Sequence, residues 1–585
     1  MPPRMAELKI RNYRSIEEAS LRFDDLTLLI GKNNAGKSNV LSAAALVIEG
    51  TAKDLAPHDF HEKNGVIAAE FTIEVKLKGV QTNVSRMAEE HRTKLERYIV
   101  EDSIRLKRVG TRTPDLELSS YEIWSPAKTA FTPLPTGIPN SIKQLLPEVI
   151  YIEAFKDPSE EAKGKSSAVL GKILKQILTA VTAQIDIDVK DALEDALARI
   201  NPAPLEGDGV DRRAEELIRV EADIRDRMRE VFEDSDVRLQ FQIPTFSEWL
   251  AQATMLLKDQ GDWAPPESKG QGFQRALYLA LLRVLAAVEN VPVSESPIPH
   301  FLLLVEEPEA FLHPGLQRQM GDTLHSISAR DQVIAASHSP FVVAPDRLAS
   351  IVFVRRPGTG GSRGSGFTFP DTSVLPAEDD KRLLKLLSLS NSSEFLFSDF
   401  VLVAEGISDR ALLGASMSRL RKEGAISSGL GCVLDVDGKD ALVPTQKVLL
   451  ALGFRSKAVA DADFIWNGAT RVLASDPGFI RFHQEFQQAA ANAGIWDAEN
   501  STVSRGGRLQ AMAMLAGNMN KGFEAARVKL RDDHGLWVLS KGEIEGYFGL
   551  SQGSKGDYVR CAREVLAGGR SIDPEVLQLL TWTAS

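Results

Sequence analysis

The sequence is poor in several features that would narrow its class at once. It contains two cysteines, Cys432 and Cys561, too few for a disulfide framework and too far apart for a clustered zinc site. No apolar run approaches the ~20 residues that a membrane helix needs. We therefore exclude secreted disulfide scaffolds and zinc-ribbon proteins, and we expect no membrane-spanning segment.

An export signal and an overall basic charge are also missing. The opening MPPRMAELKIRNYRS has polar residues where a signal peptide has a continuous apolar segment, so we expect a cytoplasmic protein. The net charge of -11 argues against a generally basic DNA-coating protein, but 69 Lys and Arg residues allow local basic grooves. Composition therefore neither requires nor excludes nucleic acid.

The chain is long enough for several domains. At ~150 residues per domain, 585 residues correspond to three or four. Short β-rich runs open the chain, a helical and charged stretch follows, and a Gly/Ser/Arg-rich break precedes apolar runs that end in acids. We predict a first unit in two parts (1–160 and 236–355), a helical insertion (161–235), a linker (356–390) and a second unit (391–585). The insertion is either a solvated bundle or a dimerising arm.

A phosphate-binding loop follows the strand-like LTLLI. The run from Gly31 to Ser38, GKNNAGKS, matches the P-loop pattern and precedes a helical segment. Glycines let backbone N–H groups surround phosphates, the lysine neutralises the β- and γ-phosphates, and the serine hydroxyl can bind Mg²⁺. The alternative is that this run is a glycine-rich turn that binds no phosphate. The predicted nucleotide-binding residues here are Asn33, Gly36, Lys37, Ser38 and Asn39.

Two later strands end in residues that suit the same site. The apolar run FLLLV is followed by Glu306 and Glu307, and DQVIAAS is followed by His338. Acids at the carboxyl end of a parallel strand face a nucleotide, so Glu306 would hold the Mg²⁺ shell and Glu307 would orient or deprotonate the attacking water. His338 would contact the γ-phosphate. The alternatives are a solvated turn and a structural histidine.

These motifs resemble the ATP-binding cassette (ABC) ATPases of the SMC and RecF type. In that resemblance Arg14 is a phosphate contact, and the run from Ser268 to Leu277 is the signature motif that completes the ATP site of a partner subunit. Glu267 replaces the usual leucine before this motif, Glu306 replaces the usual aspartate, and no convincing Q-loop is found. The resemblance implies nucleotide binding and leaves the speed of ATP turnover open.

A second group of acids follows apolar runs in the last third of the chain. Glu405 ends FVLVA and Asp409 follows it at a helix start, while Asp461 and Asp463 end KAVA. Carboxylates at neighbouring strand ends repel one another unless a divalent cation neutralises them, and oxygen ligands suit Mg²⁺ or Mn²⁺. The run from Asp435 to Lys439 is a second candidate for the paired aspartates, although its turn looks structural.

The pairing of EGxxD with DxD resembles the Toprim fold of topoisomerases, primases and certain nucleases. The resemblance implies that Glu405 is the general acid/base or a metal ligand, and that Asp409, Asp461 and Asp463 are metal ligands. Glu543 and Glu545, spaced to share one face of a strand, are predicted to complete a second metal site. Lys541 and Lys555 are candidate catalytic lysines or plain surface residues, and Tyr547 is either a topoisomerase nucleophile or a core residue.

The order of these motifs resembles the OLD (overcoming lysogenisation defect) family, including the nuclease subunit of the Gabija phage-defence system. The implied α/β fold is an ABC-type P-loop ATPase head with a helical dimerisation insertion, followed by a Toprim parallel α/β domain. The implied function is a DNA endonuclease in phage defence or DNA processing, with Mg²⁺ or Mn²⁺ (two ions), ATP with Mg²⁺, a homodimer and room for a helicase partner. A RecF-like repair ATPase without nuclease activity, and a topoisomerase or primase, are the alternatives.

Overall fold

A computed structural model gives the positions of most residues. It describes residues 3–85, 87–112, 115–136, 138, 142–143, 145–153, 215–229, 253, 255–258, 262–288, 301–343, 351–355, 366–368, 393–426, 429–436, 438–550 and 557–584.

The described part of the first unit contains two large sheets and a two-stranded hairpin of its fourth and fifth strands. Its strands are β1 (Arg4–Tyr13), β2 (Ile16–Arg22), β3 (Leu26–Gly31), β4 (Glu62–Lys63), β5 (Val66–Ile67), β6 (Glu70–Lys78), β7 (Ser103–Thr111), β8 (Glu117–Leu118), β9 (Glu122–Ser125), β10 (Ala130–Pro133), β11 (Glu148–Ile152), β12 (Phe301–Glu306), β13 (Gln332–Ser337), β14 (Ile351–Arg355) and β15 (Gly366–Thr368). Its helices are α1 (Lys37–Glu49), α2 (Gln81–Ser85), α3 (Glu89–Glu96), α4 (Glu215–Arg229), α5 (Gln271–Val288) and α6 (Pro314–Ser328).

The antiparallel sheet covers one side of the first unit. Its order is β10-β9-β7-β6-β1-β2, with β8 paired to β7. Along β6 and β7 buried and more exposed side chains alternate, so one face packs inward while the other meets solvent. Helix α1 contacts β1 and β6 of this sheet and also β11, β12 and β13 of the second sheet. It therefore joins the two layers of the core.

The second sheet carries the P-loop. Its order is β11-β12-β13-β3-β14-β15, in which the first five strands are parallel and β15 is antiparallel. Strands β3 and β13 are buried along their whole length, as is β12 up to Val305, because helices or sheets cover both faces. The carboxyl ends of β3, β12 and β13 consequently lie side by side at one edge.

The second unit is built around a four-stranded parallel sheet. Its strands are β16 (Phe400–Ala404), β17 (Gly431–Asp435), β18 (Arg455–Ala460) and β21 (Leu536–Val538), with a hairpin of β19 (Trp496–Asp497) and β20 (Thr502–Val503). Its helices are α7 (Ile407–Lys422), α8 (Leu442–Ala451), α9 (Ala469–Val472), α10 (Pro477–Asn492), α11 (Arg508–Ala516), α12 (Asn520–His534), α13 (Ile544–Tyr547), α14 (Asp557–Leu566) and α15 (Pro574–Ala584). The sheet order is β17-β16-β18-β21.

The two units share an apolar core at their junction. The ring of Phe454, before β18, lies 4.9 Å from that of Phe353 on β14 and 5.2 Å from that of Phe395. Beside this cluster the ammonium of Lys32, in the P-loop, lies 2.6 Å from the carboxylate of Asp399, directly before β16. The P-loop and the first strand of the second unit are therefore in direct contact.

The structure describes parts of the predicted linker and of the predicted helical insertion. The predicted linker 356–390 contains β15, which pairs with β14 and extends the sheet of the first unit, so this part is not a linker. The strand is only 3 residues long and follows a Gly/Ser-rich run, so the sequence carries little local signal for it. Of the predicted insertion 161–235, only α4 lies within the described residues. No helix in the described part of the chain is both long and apolar enough to cross a bilayer.

Candidate functional site

The loop between β3 and α1 has the backbone shape of an anion-binding loop. It connects the carboxyl end of a parallel strand to the N-terminus of a helix, where backbone N–H groups lack partners within the helix. Gly36 has φ 110° and Asn34 has φ 61°, left-handed values that glycine and asparagine tolerate best. A Cβ atom on Gly31 would lie 2.1 Å from the carbonyl oxygen of Val354, so a side chain does not fit there.

Lys37 is buried at the base of this loop. Its side chain donates to the carbonyl oxygens of Gly31, at 2.8 Å, and Lys32, at 2.9 Å. Burial lowers the pKa of Lys37 to about 8, an effect that the nearby carboxylates of Glu307, Glu309 and Glu306 oppose. An ammonium removed from water in this way is stabilised by an anion, so the site suits phosphate.

The other predicted loop residues are more accessible. Asn33 and Ser38 are exposed, and Asn39 is half-buried, with its amide donating to the hydroxyl of Ser15 at 2.7 Å. The Asn39 contact ties the first turn of α1 to the turn between β1 and β2. The structure thus brings Asn33, Gly36, Lys37, Ser38 and Asn39 to one loop, with Ser38 accessible to a ligand.

The acids after β12 lie at the neighbouring strand end. Glu306 accepts a hydrogen bond of 2.7 Å from the hydroxyl of Tyr151, which extends from β11. Glu307 has φ 44°, and its N–H group donates to the carbonyl oxygen of Ala336 at 2.8 Å. Sequence reasoning missed Tyr151 because 155 residues separate it from Glu306.

His338 connects the acids to the P-loop lysine. Its Nε2 atom lies 3.8 Å from the Glu307 carboxylate, and its Nδ1 atom lies 3.4 Å from the Lys37 ammonium. Burial, then the charge of Lys37, lowers the pKa of His338 to about 4, so the ring is neutral at pH 7. The backbone N–H group of His338 donates to the side chain of Glu309, a buried carboxyl whose pKa is raised by burial. Glu309 was a further miss, although the EEPE run contains it.

The signature-like motif, from Ser268 to Leu277, begins on the surface of the first unit. Ser268, Gly270 and Gln271 of the signature-like motif are exposed, and Gln274 anchors their loop by donating to the carbonyl oxygens of Pro266 and Lys269. Such exposure leaves the motif accessible to a second molecule.

Arg14, the predicted phosphate contact, is already paired. Its Nε atom donates to the buried carboxylate of Asp59 at 2.7 Å, and its guanidinium lies 5.2 Å from the ring centroid of Tyr13. Arg14 adopts φ 48°, a left-handed conformation in the tight turn between β1 and β2. In the structure it therefore orders this turn.

In the second unit, Glu405 and Asp409 lie where β16 meets α7. Glu405 follows the last residue of β16, and Asp409 lies in the first turn of α7, where it accepts a hydrogen bond of 3.0 Å from the N–H group of Gly406. This bond is a capping interaction that satisfies a backbone donor at the helix start. The side chain of Asp409 is nevertheless held in the interior, with 7% of the residue exposed.

Asp461 and Asp463 follow β18, the strand next to β16. The N–H group of Asp461 donates to the carboxylate of Glu405 at 3.1 Å, which ties the two strand ends together. Buried Oδ1 atoms of Asp461 and Asp463 have no hydrogen-bond partner. Since buried acceptors without partners are costly, these two oxygens suit a ligand that offers positive charge.

Burial and neighbouring negative charge raise the pKa of three of these acids. Burial and then the charge of Asp463 raise the pKa of Glu405 to about 7, and burial and then Glu405 raise the pKa of Asp409 to about 7. The pKa of Asp461 is also raised, by burial first and by Asp409 next. The cluster therefore disfavours its own full ionisation, which a cation would relieve.

Glu543 and Glu545 lie near this cluster, but they are not on a strand. The prediction of a strand is wrong: β21 ends at Val538, Gly542 turns the chain with φ 111°, and α13 begins at Ile544. The alternating acids suggested a strand because their spacing does not reveal the turn at Gly542. Even so, the charge of Glu543 acts on Glu405 and Asp461, and that of Glu545 acts on Asp409.

Two cations touch the cluster, and neither is a predicted lysine. Lys439 lies 2.6 Å from the Asp463 carboxylate, and Arg508 lies 3.6 Å from it and 3.5 Å from Glu543. Lys541 instead pairs with Asp573 at 2.8 Å, and Lys555 lies outside the described residues. Within the described residues, the lysine beside these acids is therefore Lys439 and not Lys541.

The donor set fits a divalent cation by its chemistry. Six acids converge here, with two partnerless buried oxygens and three raised pKa values. Among the described side chains, no three His, Cys, Asp or Glu residues already stand in a metal-binding arrangement. Binding would therefore require side-chain adjustments, beginning with release of Asp463 from its cationic neighbours.

Two competing features are structural. Asp435, at the end of β17, pairs with Arg410 at 3.1 Å, while its neighbour Asp437 lies outside the described residues. Tyr547 is buried and donates its hydroxyl to Glu575 at 2.6 Å, and burial raises its pKa. A phenol held in this way is a core residue, which removes the argument for a topoisomerase nucleophile.

Comparison with known proteins agrees with both halves of the chain. Residues 4–343 match the family described as AAA ATPase domain, and residues 396–463 match the TOPRIM domain of overcoming lysogenization defect protein-like proteins. The Old nuclease of Escherichia phage P2 is 26% identical over 94% of both chains. The OLD nuclease of Thermus scotoductus is 21% identical over 79% of this chain and 82% of its own.

The first match covers more than half of the chain, and the second contains all four acids of the EGxxD and DxD pairs. The expected fold class, a P-loop ATPase followed by a Toprim domain, is confirmed. The chain belongs to the AAA ATPase domain family and is an ATPase–Toprim protein of the OLD family.

Proposed function

We propose that this protein is a divalent-metal-dependent DNA endonuclease whose ATPase unit controls cleavage. The observation that carries the proposal is the buried carboxylate cluster at the carboxyl ends of β16 and β18, in a unit distinct from the P-loop. The names of the two relatives, both nucleases, support the same reaction class.

Each acid of the cluster has a proposed role. Glu405 is either a metal ligand or the general acid/base; without metal its pKa is raised to about 7 by burial and then by the charge of Asp463, which suits proton exchange near neutral pH. Mg²⁺ or Mn²⁺ ions, two of them about 4 Å apart, would stabilise charge on the attacking and leaving oxygens. The proposed ligands are Glu405, Asp409, Asp461, Asp463, Glu543 and Glu545.

The P-loop unit would bind ATP with Mg²⁺. The backbone near Asn33 and Gly36 surrounds the phosphates, Lys37 neutralises them, and Ser38 and Glu306 hold the Mg²⁺ shell. Glu307 orients the attacking water, and neutral His338 contacts the γ-phosphate. Asn39 fixes the first turn of α1 in this scheme.

A homodimer is part of the proposal. The exposed Ser268 to Gln271 segment is accessible to a second copy, whose P-loop it would complete. In the described part of the chain, the Ser268 hydroxyl donates to the carbonyl oxygen of Pro265 in its own loop, at 2.8 Å. Sedimentation with and without ATP tests this arrangement.

Other expectations remain predictions of the sequence. These are a helicase partner, a role in phage defence, the likeness to the Gabija nuclease subunit, Lys555 as a catalytic residue, and a cytoplasmic location.

Plasmid cleavage tests the proposal directly. Supercoiled plasmid is incubated with the full chain under Mg²⁺ or Mn²⁺, with and without ATP, and a chelator is added to matched samples. We expect nicked or linear products that disappear on chelation. DNA binding and ATP hydrolysis without any such product would favour the RecF-like alternative, and relaxed closed circles would favour a topoisomerase.

A further inference from the structure

A lysine outside the recognised motifs contacts the carboxylate cluster. Lys439 follows Gly438 after β17, and its ammonium lies 2.6 Å from the carboxylate of Asp463. Its side chain is 24% exposed, so one side faces the cluster while the group remains reachable from solvent. Asp463 uses its Oδ2 atom for this contact, while its Oδ1 atom is buried without a partner.

The backbone holds this lysine in place. Gly438 adopts φ 116°, and its N–H group donates to the carbonyl oxygen of Glu405 at 2.9 Å. The turn before Lys439 is therefore tied to the end of β16, at the residue that carries a central acid of the cluster. A short 3-10 turn from Lys439 to Ala441 follows and leads into α8.

Of the two lysines expected from the sequence, Lys541 is engaged elsewhere, and Lys555 lies outside the described residues. Lys541 pairs with Asp573, lies over the ring of Tyr547 at 5.2 Å from its centroid, and has a side chain that is 61% exposed. Its position, after β21, is separated from Glu543 by the Gly542 turn. Lys439 makes the shortest ion pair with the cluster among the described residues, and Arg508 lies farther from Asp463, at 3.6 Å.

We propose that Lys439 binds the scissile phosphate of DNA beside the carboxylate cluster, and that Asp463 holds its ammonium there until metal and DNA bind. This inference rests on the proposed nuclease function. Once Asp463 shares its charge with a divalent cation, it attracts the ammonium less, and a phosphate oxygen becomes the stronger acceptor.

Two opposite effects of one substitution follow. In Lys439→Met, Asp463 loses a competing cation, so Mn²⁺ should bind more tightly when DNA is absent. Cleavage should nevertheless slow by about 100-fold at saturating DNA and Mn²⁺, because a donor to the developing phosphate charge is lost. Lys439→Arg keeps the charge and should recover part of the rate. An ion pair that only positions Asp463 would instead weaken Mn²⁺ binding together with cleavage, because the carboxylate would lose the contact that holds it in place.

The experiment combines Mn²⁺ calorimetry with single-turnover nicking of supercoiled plasmid by the full chain. Lys529→Met is the matched control, because this exposed lysine pairs with Asp476 away from the cluster. Lys541→Met tests the other lysine in parallel, and circular dichroism checks the fold. If Lys439→Met is unfolded, Lys439→Gln replaces it.

Slower nicking together with tighter Mn²⁺ binding supports the inference, and slower nicking with weaker Mn²⁺ binding overturns it in favour of a positioning role for Lys439. Wild-type nicking by folded Lys439→Met, or slowing by Lys541→Met alone, overturns it and leaves the nuclease proposal intact. If the wild-type chain does not nick plasmid under any metal, the proposed function fails, and this inference fails with it.

Discussion

The P-loop site and the carboxylate cluster are built on the same plan with opposite charge. Both lie at the carboxyl ends of neighbouring parallel strands, where helices begin. Burial lowers the pKa of Lys37 to about 8 in one site, and it raises those of Glu405 and Asp409 to about 7 in the other. One site therefore favours anions and the other cations, which fits phosphates and divalent metals.

The two sites differ in how their buried charge is compensated. Lys37 donates to two backbone carbonyl oxygens, which are fixed by β3 and its loop. The cluster relies on the side chains of Lys439 and Arg508, and two of its buried oxygens remain without partners. We infer that the P-loop is the more preorganised site, and that the cluster responds more strongly to its ligand.

The largest expected effect is a loss of DNA cleavage that leaves ATP hydrolysis unchanged. Asp461→Ala should reduce DNA cleavage by about 10³-fold or more, because it removes a ligand for the ions that stabilise the reacting oxygens. ATP hydrolysis and DNA binding should stay near wild type, since phosphate contacts come from Lys and Arg. Plasmid nicking, phosphate release and gel shift are measured on the same preparations; joint loss of both activities in a folded variant would show that the sites are not separable.

Much of this comparison could be predicted from the sequence, because buried parallel strands have a local signature. The apolar runs before Lys37's loop, Glu405 and Asp461 identify strand ends, and parallel strand ends meet at one edge. Glu543 was misplaced on a strand, since a single glycine changes the backbone direction. Lys439 was missed because its contact depends on how β17 and β18 are arranged, which no local pattern specifies.

The next effect concerns the two acids after β12. Glu307→Gln should retain ATP but slow its hydrolysis by about 100-fold, because the amide keeps the shape and loses the carboxylate that orients water. Glu306→Gln should weaken Mg²⁺-ATP binding as well, since its carboxylate is the proposed Mg²⁺ contact. Steady-state kinetics and nucleotide titrations compare the variants, and identical behaviour of the two would contradict these separate roles.

Removing the buried ammonium of Lys37 should have a smaller effect than the changes at Glu306 and Glu307, and this effect should be confined to nucleotide affinity. Lys37→Ala loses a charged donor to phosphate, so ATP should bind about 10- to 100-fold more weakly. Metal-dependent nicking in the absence of ATP should persist if the two sites are chemically independent. Calorimetric titration with ATP measures the affinity, Lys53→Ala on the same unit is the control, and unchanged affinity in the Lys37 variant would refute the P-loop assignment.

The smallest expected effect is on stability, and it tests whether the cluster is under electrostatic strain. The raised pKa values of Glu405 and Asp409 mean that the folded state binds protons more tightly than the unfolded state between about pH 4 and pH 7. Their contribution to stability is therefore favourable at low pH and is lost as the pH rises through about 7. The double variant Glu405→Gln/Asp409→Asn keeps the shape of both side chains but does not titrate.

In chelator, this variant should gain stability over wild type by on the order of 1 kcal/mol more at pH 8 than at pH 5.5. Denaturant unfolding at the two pH values measures the difference, in which the titration of groups that do not interact with the cluster cancels. Mn²⁺ should shrink the gap at pH 8, because it stabilises the charged wild-type cluster and finds fewer charged ligands in the variant. A gap independent of both pH and Mn²⁺ would mean that the cluster is already compensated by Lys439 and Arg508, and that the two sites are equally preorganised.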